Sequence, residues 1–138
     1  EMLWNLKSGN DSLFNFAEHI IVYTQSFFGK TNVKIQIIKS EIGENKISAE
    51  TRRNLFLCVK EALNNIYKHS NAESVEVHLT QKDKKFSITI KDDGVGMEVG
   101  TKHGNGLGNM KWRMSSICGE FVIMPTEKGF QIKFEMDL

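Results

Sequence analysis

The stretch Cys58-Val59-Lys60-Glu61-Ala62-Leu63-Asn64-Asn65-Ile66-Tyr67-Lys68-His69 decides how the rest of the chain is read. At about 100° per residue, Leu55, Val59, Ala62, Leu63 and Ile66 gather on one side of a helix. Glu61, Asn65 and Lys68 fall within a sector of roughly 60° on the other. A carboxylate, an amide oxygen and an ammonium one turn apart are what a metal-bound polyphosphate requires. The same pattern also suits a solvated helix face carrying a Glu–Lys pair. Two downstream glycine clusters tilt the choice: Asp92-Asp93-Gly94-Val95-Gly96 and Gly104-Asn105-Gly106-Leu107-Gly108-Asn109.

Working outward, Ser48 can cap this helix, which should continue through His69 and break at Ser70-Asn71-Ala72. Before it, Asn10 or Asp11 should cap a helix to about Phe28, ended by Gly29 and burying Leu13, Phe16, Ala17, Ile20, Ile21 and Phe27 or Phe28. Asn32 to Lys39 alternates as a strand. After the central helix, Val75, Val77 and Leu79, then Phe86, Ile88 and Ile90, alternate with polar residues across a turn at Gln81-Lys82-Asp83-Lys84. The glycine-rich segment from Gly94 to Gly106 is expected to be mobile. A short helix from Met110 to Ile117 follows. Glu120–Met124 and Phe130–Asp137 close the chain as a hairpin, with Phe130, Ile132, Phe134 and Met136 inward. This order is not strict βαβ alternation. It predicts an α+β two-layer sandwich, a mixed sheet covered on one face by helices.

The 138 residues, 40% hydrophobic and 25% charged, fit one soluble domain. Residues 1–9 read as the end of a linker and 10–138 as the domain. A net charge of +1 excludes the electrostatic footprint of a nucleic-acid or membrane-surface binder, so anion binding must come from local geometry. There is no run of about 18 apolar residues, so no direct membrane contact is expected. Cys58 and Cys118 have neither metal nor disulfide spacing and read as buried free thiols. The four histidines are scattered. The start at Glu1 leads us to expect a longer parent.

Asp92 is the sharpest single residue. It continues the parity of Phe86, Ile88 and Ile90, so its carboxylate should face the helices while Asp93 faces away. A carboxylate on the core side needs a donor, and the exocyclic amine of adenine is one. A turn acid capping the strand end is the alternative. The second glycine cluster has no strand leading into it and no Gly-Lys-Ser/Thr, so it is neither a Rossmann fingerprint nor a P-loop. It runs into a helix, where free N–H groups favour phosphate.

Together the three clusters resemble the GHKL (Bergerat-fold) ATPases, and among them the catalytic ATP-binding domain of bacterial sensor histidine kinases of the short-lid subclass. Glu61 to His69 resembles the N box, Asp92 to Gly96 the first glycine box, and Gly104 to Met110 the second. The resemblance implies Mg-ATP as ligand, with Asp92 on the adenine amine, Asn65 on Mg2+ and Lys68 near phosphate. His69, Gly94, Gly96, Gly104, Gly106, Leu107 and Gly108 would complete the nucleotide site, and the loop between the glycine boxes would close as a lid. Glu61 and Asn65 are the candidate catalytic residues, although Glu61 stands where many histidine kinases carry Asn. The third glycine box is reduced to Gly129-Phe130. The implied partners are the protein's own dimerisation and phosphoacceptor hairpin, outside this sequence, and a response-regulator receiver domain. The implied location is cytoplasmic, possibly as the inner part of a membrane-anchored sensor. A free-standing anti-sigma-type serine kinase and an ATP-sensing module without phosphate transfer are the alternatives.

Overall fold

The computed structural model describes residues 11–95 and 106–138. Helix α1 (Leu13–Phe28) precedes strand β1 (Lys34–Lys39) and helix α2 (Ala49–Asn65), which passes directly into a π-turn (Ile66–Ser70). Strands β2 (Ser74–Lys82) and β3 (Lys85–Asp92), helix α3 (Gly106–Ser116), and strands β4 (Glu120–Pro125) and β5 (Phe130–Asp137) follow. The sheet order is β1-β2-β3-β5-β4. β1 runs parallel to β2, and every other pairing is antiparallel. This is the mixed α+β sandwich that the alternation implied.

Register explains the core. Val77, Ile90, Ile132 and Ile123 lie in one cross-strand row, and Leu79, Ile88, Phe134 and Phe121 in the next. Leu79, Ile88 and Phe134 are fully buried, and Phe121 stacks on Phe134 at 5.6 Å. Burying one such side chain contributes roughly 1.5–3 kcal/mol. The third row carries Val75, Asp92 and Phe130, so one carboxylate lies among otherwise apolar residues.

Several expectations need correcting. Ser12, not Asn10 or Asp11, caps α1, accepting from Asn15 N at 3.1 Å. It is held there by a short bridge in which Leu13 N donates to Asn45 O and Ile47 N to Asp11 O. Ile21 is only half-buried, and of the pair Phe27 and Phe28 it is Phe28 that is buried; Thr24 is buried too, its hydroxyl donating to Ile20 O. The β2–β3 turn is just Asp83-Lys84, with Asp83 at φ 57°. α3 begins at Gly106, four residues before Met110, so Gly106, Leu107 and Gly108 form its first turn. Cys58 is buried as expected, but Cys118 is exposed in the left-handed turn after α3, at φ 58°. The linker expected over residues 1–9 and the mobility expected across 96–105 lie outside the described residues. No described helix is long and apolar enough to cross a membrane.

Candidate functional site

α2 starts on Ser48, whose hydroxyl accepts from Thr51 N at 3.1 Å. It is locked to α3 by Cys58 Sγ donating to Met110 O and by Arg113 Nη1 donating to Asn54 Oδ1 at 3.3 Å. Burial pushes the Cys58 thiol up to about 12, which makes it an inert packing group.

At its far end α2 does not continue as an α-helix through His69. It widens into a π-turn, ended by Asn71 in the left-handed conformation at φ 52°. Asn65, the last α-helical residue, is only 7% exposed, so it does not lie on a solvated face away from the core. The reason is angular: Asn65 stands about 20° from Cys58 on the wheel, so the polar sector adjoins the buried arc. Its Nδ2 is buried and has no hydrogen-bond partner among the described residues. An orphaned buried amide costs about 1–3 kcal/mol. It faces a small cavity, about 10 Å³, lined also by Ala62, Ile66, Ser70, Asp92 and Phe130. That is room for about one water-sized sphere.

Asp92 lines the same cavity and is 5% exposed. Burial holds its carboxyl above the ordinary carboxylate range, partly offset by Gly94 N donating to Oδ1 at 2.9 Å, while Asp93 nearby raises it further. Asp93 makes the strand-end cap that was the alternative for Asp92. Its Oδ1 accepts from Glu73 N and Ser74 N, each at 2.9 Å, and its Oδ2 from Ser74 Oγ at 2.9 Å. The Ser74 N–H leads in holding Asp93 below the usual range. One carboxylate is thus structural, and its neighbour is buried with unused acceptor capacity beside an unpaired amide.

The family model of the histidine kinase-like ATPase domain matches residues 32–120. The chain belongs to that family. It is 38% identical over 86 residues to the signal transduction histidine-protein kinase/phosphatase UhpB of Salmonella typhimurium, covering 62% of this chain and 17% of that protein. It is 33% identical over 104 residues to the sensor histidine kinase LiaS of Bacillus subtilis, covering 73% and 29%. The chain therefore spans less than a third of the length of these relatives. The histidine kinase domain of the Erythrobacter litoralis EL346 blue-light activated kinase superposes with a TM-score of 0.75 at 15% identity, covering 89% of this chain and 61% of that one. The ATP-binding domain of PrrB from Mycobacterium tuberculosis gives 0.72 at 15%, covering 91% and 93%. These two likenesses establish the fold.

Within this ATPase domain, the residues read from the sequence separate into groups. Asn65 and Asp92 share the small cavity, and Gly94 closes on Asp92. Glu61 does not join them. It lines a second cavity of about 190 Å³ between α2 and α3, with Lys60, Asn64, Asn109 and Arg113. Lys68 and His69 are exposed on the π-turn. Gly106, Leu107 and Gly108 form the first turn of α3, and an added Cβ on Gly108 would meet open space. Gly96 and Gly104 lie outside the described residues. The sequence reading missed Ser70, which lines the small cavity, and Arg113, whose anchor Asn54 lies 59 residues away and left no local signal.

Proposed function

We propose that this domain binds Mg-ATP and donates the γ-phosphate to a histidine on a dimerisation helical hairpin elsewhere in a larger sensor kinase, from which it passes to a response-regulator receiver domain in the cytoplasm. Residues 10–138 would form the ATP-binding unit, with 1–9 the end of a linker. The observation that carries this is that a buried acceptor, Asp92, and the Asn65 amide nitrogen, buried with no hydrogen-bond partner among the described residues, line one cavity. Asp92 takes the adenine amine. Asn65 would hold Mg2+ through its amide oxygen by turning from the cavity toward the phosphates, which lie at the other end of ATP from the base; its O and N exchange by rotation about the last side-chain torsion. When bound, Mg2+ neutralises phosphate charge. Lys68 and His69, exposed on the π-turn, are the side chains for the phosphate end of the site, and Gly94 and Gly96 let the chain turn tightly after Asp92. Gly104, Gly106, Leu107 and Gly108 offer N–H groups to the phosphates at the α3 N-terminus. Glu61, one turn before Asn65, orients the incoming acceptor. The protein's work is positioning and charge stabilisation, which dominate phosphoryl transfer.

Displacement of a fluorescent ATP analogue by ATP, with and without Mg2+, tests the reading. Saturable, magnesium-dependent displacement is expected. Failure of millimolar ATP to displace the analogue would overturn it.

A further inference from the structure

Three local features converge on one spot behind the small cavity. The first is the π-turn Ile66–Ser70, an uncommon helical form that concentrates at functional positions. The second is Asn71 at φ 52°, a left-handed ending that asparagine takes most readily after glycine and that turns the chain sharply off the helix. The third is Gly94, where a Cβ would come within 2.1 Å of Ser70 O, so only glycine fits. Ser70 links all three. It is 2% exposed; its hydroxyl donates to Ile66 O at 2.9 Å, and its own Oγ accepts from Ala72 N at 3.1 Å. Its carbonyl accepts from Val95 N at 2.7 Å. Gly94 N, one residue earlier, donates to Asp92 Oδ1 at 2.9 Å.

We infer that Ser70 is a positioning residue for base recognition: through the π-turn it staples the end of the central helix to the Gly94-Val95 backbone and thereby aims the Asp92 carboxylate into the cavity that Asn65 also lines. The chain of contacts is short and continuous. Ser70 Oγ closes the wide turn, and Ser70 O fixes Val95 N. Gly94 is held between them against Ser70, and its N–H occupies Asp92 Oδ1, leaving Oδ2 as the oxygen for the ligand. An ordinary α-helical ending would carry the Ser70 carbonyl elsewhere and release Gly94. The inference rests on the nucleotide reading above, since the ligand that Asp92 is aimed at is the adenine base.

The test separates the two. Wild-type ATP and GTP affinities, by competition against the fluorescent analogue, address the nucleotide reading alone. Ser70→Ala and Val95→Pro then address the staple. The second removes the N–H that Ser70 O accepts and sets the proline Cδ against that oxygen, so it breaks the staple outright, at a residue whose side chain is 76% exposed. Both variants are expected to weaken ATP about tenfold or more while changing GTP less than about threefold, which corresponds to a loss of roughly 1.4 kcal/mol confined to ATP. In an Asp92→Asn background, Ser70→Ala should shift ATP affinity less than twofold, because residues acting through one another are not additive. Equal losses for ATP and GTP, or full additivity with Asp92→Asn, would overturn the positioning role. If Ser70→Ala does not fold, Val95→Pro decides, and an unchanged ATP-to-GTP ratio in it refutes the proposal.

Discussion

Asp92 and Asp93 are adjacent, chemically identical and electrostatically opposite. Asp92 is buried, so its ionised form is disfavoured; the stability linked to its titration is present below the ordinary carboxylate pKa and is lost as pH rises through its raised value. For Asp93, held low by donors, the contribution is present above the ordinary value and is lost as pH falls through its depressed pKa. Asp92→Asn should therefore leave the ligand-free domain equally or more stable at neutral pH while weakening ATP and narrowing its advantage over GTP. An amide can offer a donor to guanine where the carboxylate cannot. Asp93→Asn should lower the melting temperature with little effect on base choice. Calorimetry and competition binding on the two variants check this, and the opposite assignment of effects would sink the parity argument. ATP affinity should also fall as pH drops through Asp92's raised pKa, beginning above the ordinary carboxylate value of about 3.9. Subtracting the Asp92→Asn profile removes the titration of the phosphates themselves. A second residue-scale outcome concerns Asn65→Ala: the magnesium dependence of ATP binding should vanish with little loss of stability, since the deleted Nδ2 makes no hydrogen bond among the described residues.

At the scale of elements, strand parity was legible because a period of two tolerates no ambiguity once one face is apolar. Phe86, Ile88, Ile90 and Asp92 all came out buried as the alternation required. The end of α1 at Phe28, before Gly29, was legible, whereas the end of α2 was not. Nothing in Ile66-Tyr67-Lys68-His69-Ser70 distinguishes a π-turn from an α-turn, and the Val95 N–H that Ser70 O accepts from lies 25 residues away, beyond the reach of local pattern. The start of α3 was missed because Gly106 and Gly108 are poor helix formers. The Asn65 face was misjudged by omitting Cys58 from the buried arc. Gly129 shows the same limit: it reads as a turn glycine, yet it sits at φ 104° with Asp92 O only 1.9 Å from where a Cβ would be. Gly129→Ala should therefore cost about 2 kcal/mol or more and, by displacing the Asp92 backbone, weaken ATP as well. Chemical denaturation and nucleotide competition on the variant would show both, and near-wild-type stability would mean that the β4–β5 turn yields more readily than its contacts imply.

At the scale of the whole molecule, the ligand-free cavity between Asn65 and Asp92, at about 10 Å³, is far smaller than an adenine ring. Its walls come from α2, the π-turn, β3 and β5, which belong to both layers of the sandwich. Opening it for a base should move α2 against the sheet, and the bound base would then bridge the two layers. A ligand that binds only the folded state stabilises by about 2.7 kcal/mol at one hundred times its Kd. For a domain of this size, each kcal/mol moves the melting temperature by roughly 3 °C. Saturating Mg-ATP should therefore raise the melting temperature by about 8 °C. Asp92→Asn and Asn65→Ala, assayed at the same nucleotide concentration, should lose most of that rise for different reasons, the first through the base and the second through the metal. Withholding Mg2+ distinguishes them: it should shrink the ATP-induced shift in Asp92→Asn further and leave that of Asn65→Ala unchanged. A rise of wild-type size in both variants would mean that the cavity is not the nucleotide's seat, since a ligand bound elsewhere on the folded state would stabilise all three proteins alike.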